Sequence, residues 1–420
     1  MGYAAVIPAK RTPWRQRRPL PHEDRTMTAI PDQRGSRWPL LALAIGAFGI
    51  GTTEFSPMGL LPVIADGVDV SIPTAGLLVS AYAMGVMAGA PVMTLLFARF
   101  GKRTALMCLM AIFTLGNLMS ALSPDYWTLL ASRVVTSLNH GAFFGLGAVV
   151  AASVVPRERQ ASAVATMFMG LTIANVGGVP LATWVGQQIG WREAFAGTAV
   201  LGLVTIAALW LALPKGAPGL RPDVGRELRV LVQPQVLIAL LTTVLSSSAM
   251  FTLYTYVAPL LDVLTGASAT FLTLALVLVG LGFTIGNWLG GRVADWSLDG
   301  ATAIFLAALA AIMLAMPVLM GSQSVAAVTL LAWGAAAFAI VPPVQMRVMQ
   351  AAADAPGLAS SINIGAFNLG NAIGAAVGGA VISLGLGYAA VPIAGGLLAA
   401  SALGLVWIGR RRLAALACPV

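Results

Sequence analysis

Charge is what this chain has least of. Charged residues fill 9% of its 420 positions, against roughly a quarter in a soluble globular chain. A soluble fold needs a polar shell, so a water-exposed globular domain of this length is excluded. Histidine is nearly absent: only His22 and His140 occur. Two distant histidines exclude a histidine-built zinc centre and a paired-histidine haem site. Two cysteines, Cys108 in an apolar run and Cys418 in the terminal tail, cannot make a disulfide framework or a metal cluster. No Gly-x-x-x-x-Gly-Lys-Ser/Thr loop is present, which speaks against a nucleotide-driven pump. No polar stretch is long enough to house a soluble enzyme domain. No cofactor and no enzymatic role are expected.

What the chain has is apolar length. Hydrophobic residues make up 58% of it, gathered into runs of about 20, the length needed to cross a bilayer as helix. Such runs fall near 39–61, 73–97, 104–122, 127–152, 161–187, 194–213, 235–258, 269–290, 301–320, 325–346, 358–382 and 389–409. The expected fold is all-α and integral to the membrane, with twelve transmembrane helices, here called spans 1–12. The stretch before Trp38 is rich in Pro and Arg and has no apolar h-region. It reads as a disordered basic tail over 1–37 rather than a signal peptide, with Met1 or Met27 as the start.

The longest polar break, 214–234, divides the spans six and six. This gives an N-terminal bundle over 38–213, a central loop, a C-terminal bundle over 235–409 and a tail over 410–420. The halves resemble each other weakly. Span 4 runs through a loop into span 5 (NHGAFFGLGAVVAASVVPRERQASAVATMFMG) much as span 10 does into span 11 (AWGAAAFAIVPPVQMRVMQAAADAPGLASSINIG). Two pseudo-symmetric six-helix bundles around a central site are expected. Every Lys and Arg except Arg133 and Arg192 falls in the tails or in loops of one side. The positive-inside rule places both termini in the cytoplasm of a bacterial-type inner membrane. The net charge of +9 is thus topological, and no nucleic-acid partner is expected.

Polar residues inside apolar spans are expensive and mark function or pairing. Glu54 is the only carboxylate within the apolar length of a span, on one helical face with Gly51 and Met58. An apolar surrounding favours the neutral acid, so a lone intramembrane carboxyl is a candidate proton carrier. Arg133 is the only intramembrane cation and shares a helical stripe with Thr136/Ser137, His140 and Phe144. Its candidate structural partners are Asp125 and Glu54. His140 titrates near neutrality in water and is a candidate relay. Tyr82, Asn117, Asn175, Tyr254, Tyr256, Asn287, Asn363, Asn368 and Asn371 are candidates for a solute-lining cavity. Gly282/Gly286/Gly290 and Gly370/Gly374/Gly378, four apart, permit close helix contact.

Several local motifs are similar to one family. LLFARFGKRTAL after span 2 carries Arg99, Gly101, Lys102 and Arg103. It resembles the Gly-x-x-x-Asp-Arg-x-Gly-Arg-Arg loop of the major facilitator superfamily, with Ala98 in place of the acid and Thr94 in place of the first glycine. GGRVADW keeps a fuller copy with Gly291, Arg292 and Asp295. Arg133 with NHGAFFG, and GGVP with Gly178 and Pro180, resemble the intramembrane-arginine and antiporter glycine–proline motifs. GTTEFSPMGLLPVIA, GVPLATWVGQQIGWREAF and GAFNLGNAIGAAVGG look like the branch of arabinose-efflux and chloramphenicol-resistance exporters. The resemblance covers the chain after residue 38. It implies a monomeric secondary transporter that exchanges a small organic solute (a sugar, nucleoside or drug) for protons by alternating access, with the proton gradient as energy source. It implies that Arg133 tunes proton release, that the loop residues latch the halves, and that the glycine–proline stretch seals the exporter against leak. The alternatives are an uptake facilitator or proton symporter of the same fold, or a non-transporting receptor.

Overall fold

Proline and glycine decide where this chain's helices bend, and hydropathy decides how long they are. The computed structural model describes Gly2, residues 37–215 and residues 224–417. The rest of the basic tail, the choice between Met1 and Met27, His22, Arg221 and Cys418 lie outside the described residues. Among the described residues, twelve helices are long and apolar enough to cross a membrane: Trp38–Gly67, Thr74–Phe97, Lys102–Ala121, Tyr126–Ser153, Arg157–Gln188, Trp191–Ala212, Pro234–Tyr254, Phe271–Trp296, Leu298–Leu319, Gln323–Ala351, Pro356–Ser383 and Ala390–Gly409. They correspond one to one with the expected runs. Spans 1 and 8 extend past the apolar stretches, to Gly67 and Trp296, because a helix keeps its backbone bonds satisfied into the interface.

Short loops turn the chain, and side chains close the helix ends. Ser71, Asp125, Ser268, Ser297 and Ser322 each accept from an amide in the first turn of spans 2, 4, 8, 9 and 10. At Asp125 the backbone N–H and hydroxyl of Thr128 both donate, at 2.9 Å. They hold this exposed carboxyl below the usual carboxylate range.

Within the first half, span 1 packs on spans 5 and 6, and span 3 on spans 4 and 6; within the second, span 8 packs on span 10, and span 7 on spans 11 and 12. Glycine makes the closest of these contacts. A β-carbon at Gly282, Gly286 or Gly290 would overlap the carbonyls of Leu331, Ala335 and Ala339 in span 10.

Three spans are not uniform helices. Span 4 breaks at Leu138–Asn139, between helices Tyr126–Ser137 and His140–Ser153. The hydroxyls of Ser132, Thr136 and Ser137 bond back to carbonyls of the preceding turn, which bends helices. Span 5 carries a π-turn over Ala174–Gly178, where Val179 N–H reaches Ala174 O. The wider turn accommodates Pro180, which has no N–H to give. Span 10 breaks at Ile340, ahead of Pro342 and Pro343.

Candidate functional site

The site is built around a proline. Pro57 lies inside span 1, and without an N–H it leaves the carbonyl four residues earlier, that of Thr53, without a helical partner. Arg133 of span 4 fills the gap. Its Nη2 donates to Thr53 O at 2.8 Å and its Nη1 to Thr53 Oγ1 at 3.2 Å. The Thr53 hydroxyl donates onward to Asn117 Oδ1 at 2.5 Å, and Asn117 Nδ2 donates to Phe113 O at 2.9 Å. The Tyr82 and Phe195 rings cover the guanidinium at 4.6 and 5.5 Å. Arg133 is 1% exposed. Neither expected partner holds it: Asp125 caps its own helix, and the guanidinium bonds reach the residue before Glu54 rather than Glu54 itself.

Glu54 follows Thr53 and so projects roughly 100° further round the helix. It lines a central cavity of about 50 Å³ built from spans 1, 4, 5, 7, 8, 10 and 11, room for a few water molecules. His140 lines the same cavity. Its Nδ1 lies 4.0 Å from Glu54 Oε2 and 3.1 Å from the Tyr82 hydroxyl. Phe144 packs on His140 with ring centroids 5.1 Å apart and stacks on Phe168 at 5.0 Å. The stripe read along span 4 is therefore cut by the break at Leu138–Asn139. Arg133 is turned to spans 1 and 2, while His140 and Phe144 line the cavity.

The second half supplies an amide wall and aromatic rings. Thr243 Oγ1 donates to Asn363 Oδ1 at 2.6 Å, Asn363 Nδ2 donates to Gln345 Oε1 at 2.6 Å, and the Gln345 amide donates to the Ser360 hydroxyl. Beside this wall, Phe283 stacks on Phe338 at 4.2 Å and Tyr254 packs on Phe283 at 5.6 Å.

Of the residues singled out for a solute cavity, Asn175, Tyr254, Asn363 and Asn368 line this one. The other five lie outside its lining. Asn117 is buried under Thr53, and Tyr82 sits behind His140. Tyr256 donates to Ala375 O at 2.9 Å within the second half. Asn287 bridges the halves through Ala165 O at 2.6 Å, and Asn371 has its Oδ1 buried elsewhere on span 11. Gly178 packs against Thr52 and Phe48 of span 1, so Gly178 and Pro180 shape span 5 rather than the cavity wall.

Between the halves, the hydrogen bonds of the described residues lie toward the Arg-rich side. Asp295, at the end of span 8, accepts from Ala161 N–H at 2.9 Å, Ser162 N–H at 3.2 Å and the Ser162 hydroxyl. It caps span 5 from the other half. Thr94 Oγ1, in the place of the motif's first glycine, donates to Ser361 Oγ of span 11 at 2.6 Å. The motif cations stay within their own halves: Arg99 lies over Phe100, Arg103 over Trp210 and Arg292 over Trp288. Lys102 is exposed, and Gly101 precedes the first residue of span 3. A wider recess of about 910 Å³ opens near Asp295. Its acids are occupied, Asp295 by span 5 and Asp299 by Arg347 at 2.9 Å.

Sequence reading missed Thr53, Thr243, Gln345 and the phenylalanines of the cavity other than Phe144. The Thr53–Pro57 spacing of four was a usable signal; nothing in the sequence marks which phenylalanines face inward.

The model of the Major Facilitator Superfamily matches residues 43–375. The inner membrane transport protein YdhP of Escherichia coli K12 is 64% identical over 375 residues, covering 89% of this chain and 96% of that protein. The chloramphenicol resistance protein of Streptomyces lividans is 33% identical over 372 residues, covering 87% and 94%. Among solved structures, the human organic anion transporter MFSD10 superposes with a TM-score of 0.71 at 16% identity, covering 90% of this chain and 99% of that one. This last likeness concerns the fold alone.

Proposed function

The chain belongs to the major facilitator superfamily, whose members are membrane transporters, and on that premise we propose that it exports a small organic solute in exchange for protons. The observation that carries this reading is Glu54: a single carboxyl on a cavity to which both halves contribute. An acid there can be occupied by a proton in one orientation of the halves and released in the other. His140 stands beside it at 4.0 Å as a relay. Arg133 fixes span 1 one residue away and so sets where the carboxyl points. Asp295 and the Thr94–Ser361 pair act as the latch on the Arg-rich side. That side is the cytoplasmic one, with both termini on it. The transporter works as a monomer in a bacterial-type inner membrane, driven by the proton gradient and without a cofactor.

Everted vesicles energised by a proton gradient test this. Wild type accumulates a solute from a panel of sugars, nucleosides and antibiotics, and loses the accumulation on collapse of the gradient. Glu54→Gln abolishes gradient-driven accumulation while leaving solute exchange in place. Accumulation that persists undiminished in Glu54→Gln removes Glu54 as the coupling acid.

A further inference from the structure

Away from the central cavity, three arginines line an open recess of about 640 Å³ at the Arg-rich end of spans 5 and 8. Arg37 leads into span 1 and Arg159 into span 5, both in the first half, while Arg292 lies near the end of span 8 in the second. None of the three pairs with a carboxylate among the described residues. Neither Arg37 nor Arg159 caps its helix through its side chain. Arg292 lies over the Trp288 ring at 4.5 Å. Such stacking uses the face of a guanidinium and leaves its N–H edge for other partners.

Two acids, Glu158 and Asp295, line the same recess. Asp295 is spent on the amides of Ala161 and Ser162 and on the Ser162 hydroxyl, at a helix N-terminus that offsets its charge. The Thr166 hydroxyl is spent on Ser162 O at 2.8 Å. Guanidiniums and indoles can only donate. Three cations and the indoles of Trp288 and Trp296 thus stand against one uncommitted carboxylate, Glu158. The complement is an anion rich in acceptor oxygens, which arginine meets two bonds at a time.

The recess lies where a bilayer presents such an anion. Trp38, Trp210 and Trp296, each more than half exposed, mark the same end of the bundle, and indoles settle at headgroup level. From Trp288 an exposed apolar stripe runs back along span 8 through Ile285, Leu281, Val277 and Leu274. At helical spacing these share a face with Arg292. The stripe is about 21 Å long, more than the roughly 15 Å depth of one leaflet's hydrocarbon. A free anion arriving from water would need neither the indoles nor the stripe.

We propose that the recess holds the phosphate headgroup of an anionic phospholipid, with guanidinium partners from both halves and an acyl chain laid along span 8. The bound lipid ties the halves together on the Arg-rich side, beside the Asp295 contact.

The test offers the full chain in detergent equal amounts of phosphatidylglycerol, phosphatidylethanolamine and phosphatidylcholine, and counts retained lipid by native mass spectrometry. One phosphatidylglycerol per chain is expected, favoured at least about tenfold over either zwitterionic lipid. Arg292→Gln lowers that preference about fivefold, and joint replacement of Arg37, Arg159 and Arg292 by Gln abolishes it. Joint replacement of Arg99, Lys102 and Arg103 by Gln removes three cations from the same side outside the recess and leaves the preference in place. In phosphatidylglycerol liposomes the amides of Ala161 and Ser162 exchange deuterium at least about fivefold more slowly than in phosphatidylcholine. Size-exclusion profiles matching wild type establish folding; if the recess triple variant fails this, Arg292→Gln decides. Equal retention of phosphatidylglycerol and a zwitterionic lipid overturns the proposal, as does a preference that survives in the recess variants. Loss of the preference in the control triple variant also overturns it, since diffuse surface charge then suffices. Glycerol 3-phosphate that protects the two amides in lipid-free detergent as well as phosphatidylglycerol does overturns the lipid assignment in favour of a soluble anion.

Discussion

If Arg133 is the substitute for a missing backbone N–H, then its worth must depend on Pro57. Arg133→Met removes both donors to Thr53, leaving a buried carbonyl unpaired in a span that has no water to offer. Hydrogen bonds between uncharged groups in membrane proteins average about 0.6 kcal/mol and reach about 1.7. A charged donor lies toward or above the top of that range. Pro57→Ala restores an N–H at position 57 that can reach Thr53 O in the ordinary helical way. In that background Arg133→Met should cost less, by about 1.5 kcal/mol. A double-mutant cycle of unfolding free energies in detergent measures this coupling directly. Pro57→Ala alone is expected to be neutral or stabilising, since proline is the poorest residue in a helix interior. A cycle that closes within about 0.5 kcal/mol, the usual limit of additivity for independent sites, would refute the idea that the arginine and the proline act as one unit.

Other outcomes follow from the contacts described. Asp295→Asn removes the charge that caps span 5 from the other half, a contact worth roughly 1 kcal/mol. Spin labels at exposed positions Glu158 and Ala353 should report the halves separating on the Arg-rich side about fivefold more often. Gly286→Ala drives a β-carbon into the Ala335 carbonyl and should lower stability by about 1–3 kcal/mol. Gly404→Ala, which meets open space, should be tolerated in the same thermal-unfolding assay. Asn363→Leu strands the Gln345 carbonyl and leaves the Thr243 hydroxyl only Ala239 O, at 3.4 Å, and should cost about 1–3 kcal/mol, read from the same unfolding curves.

The twelve spans were legible because the bilayer prescribes both their length and their polarity. Glu54, Arg133 and His140 stood out for the same reason: a polar group in an apolar run is conspicuous. What could not be read was rotation. Span 11 carries Asn363, Asn368 and Asn371, and only the first two reach the cavity. A helix that is apolar nearly all round gives no face from which to tell them apart. Arg133 shows a second limit. Charge arithmetic suggested a carboxylate partner, whereas the structure gives it a backbone carbonyl freed by Pro57. The break at Leu138–Asn139 had no Pro or Gly at those positions to announce it.

Asp295 closes the first turn of a helix that belongs to the opposite half. Arg159, the residue at that helix's own N-cap, offers no side-chain bond, so span 5 borrows its terminus. When the halves part on that side, the amides of Ala161 and Ser162 lose their acceptor and are handed to water. Their deuterium uptake therefore becomes a clock: it should run faster in a working transporter than in an idle one, in step with the number of cycles completed.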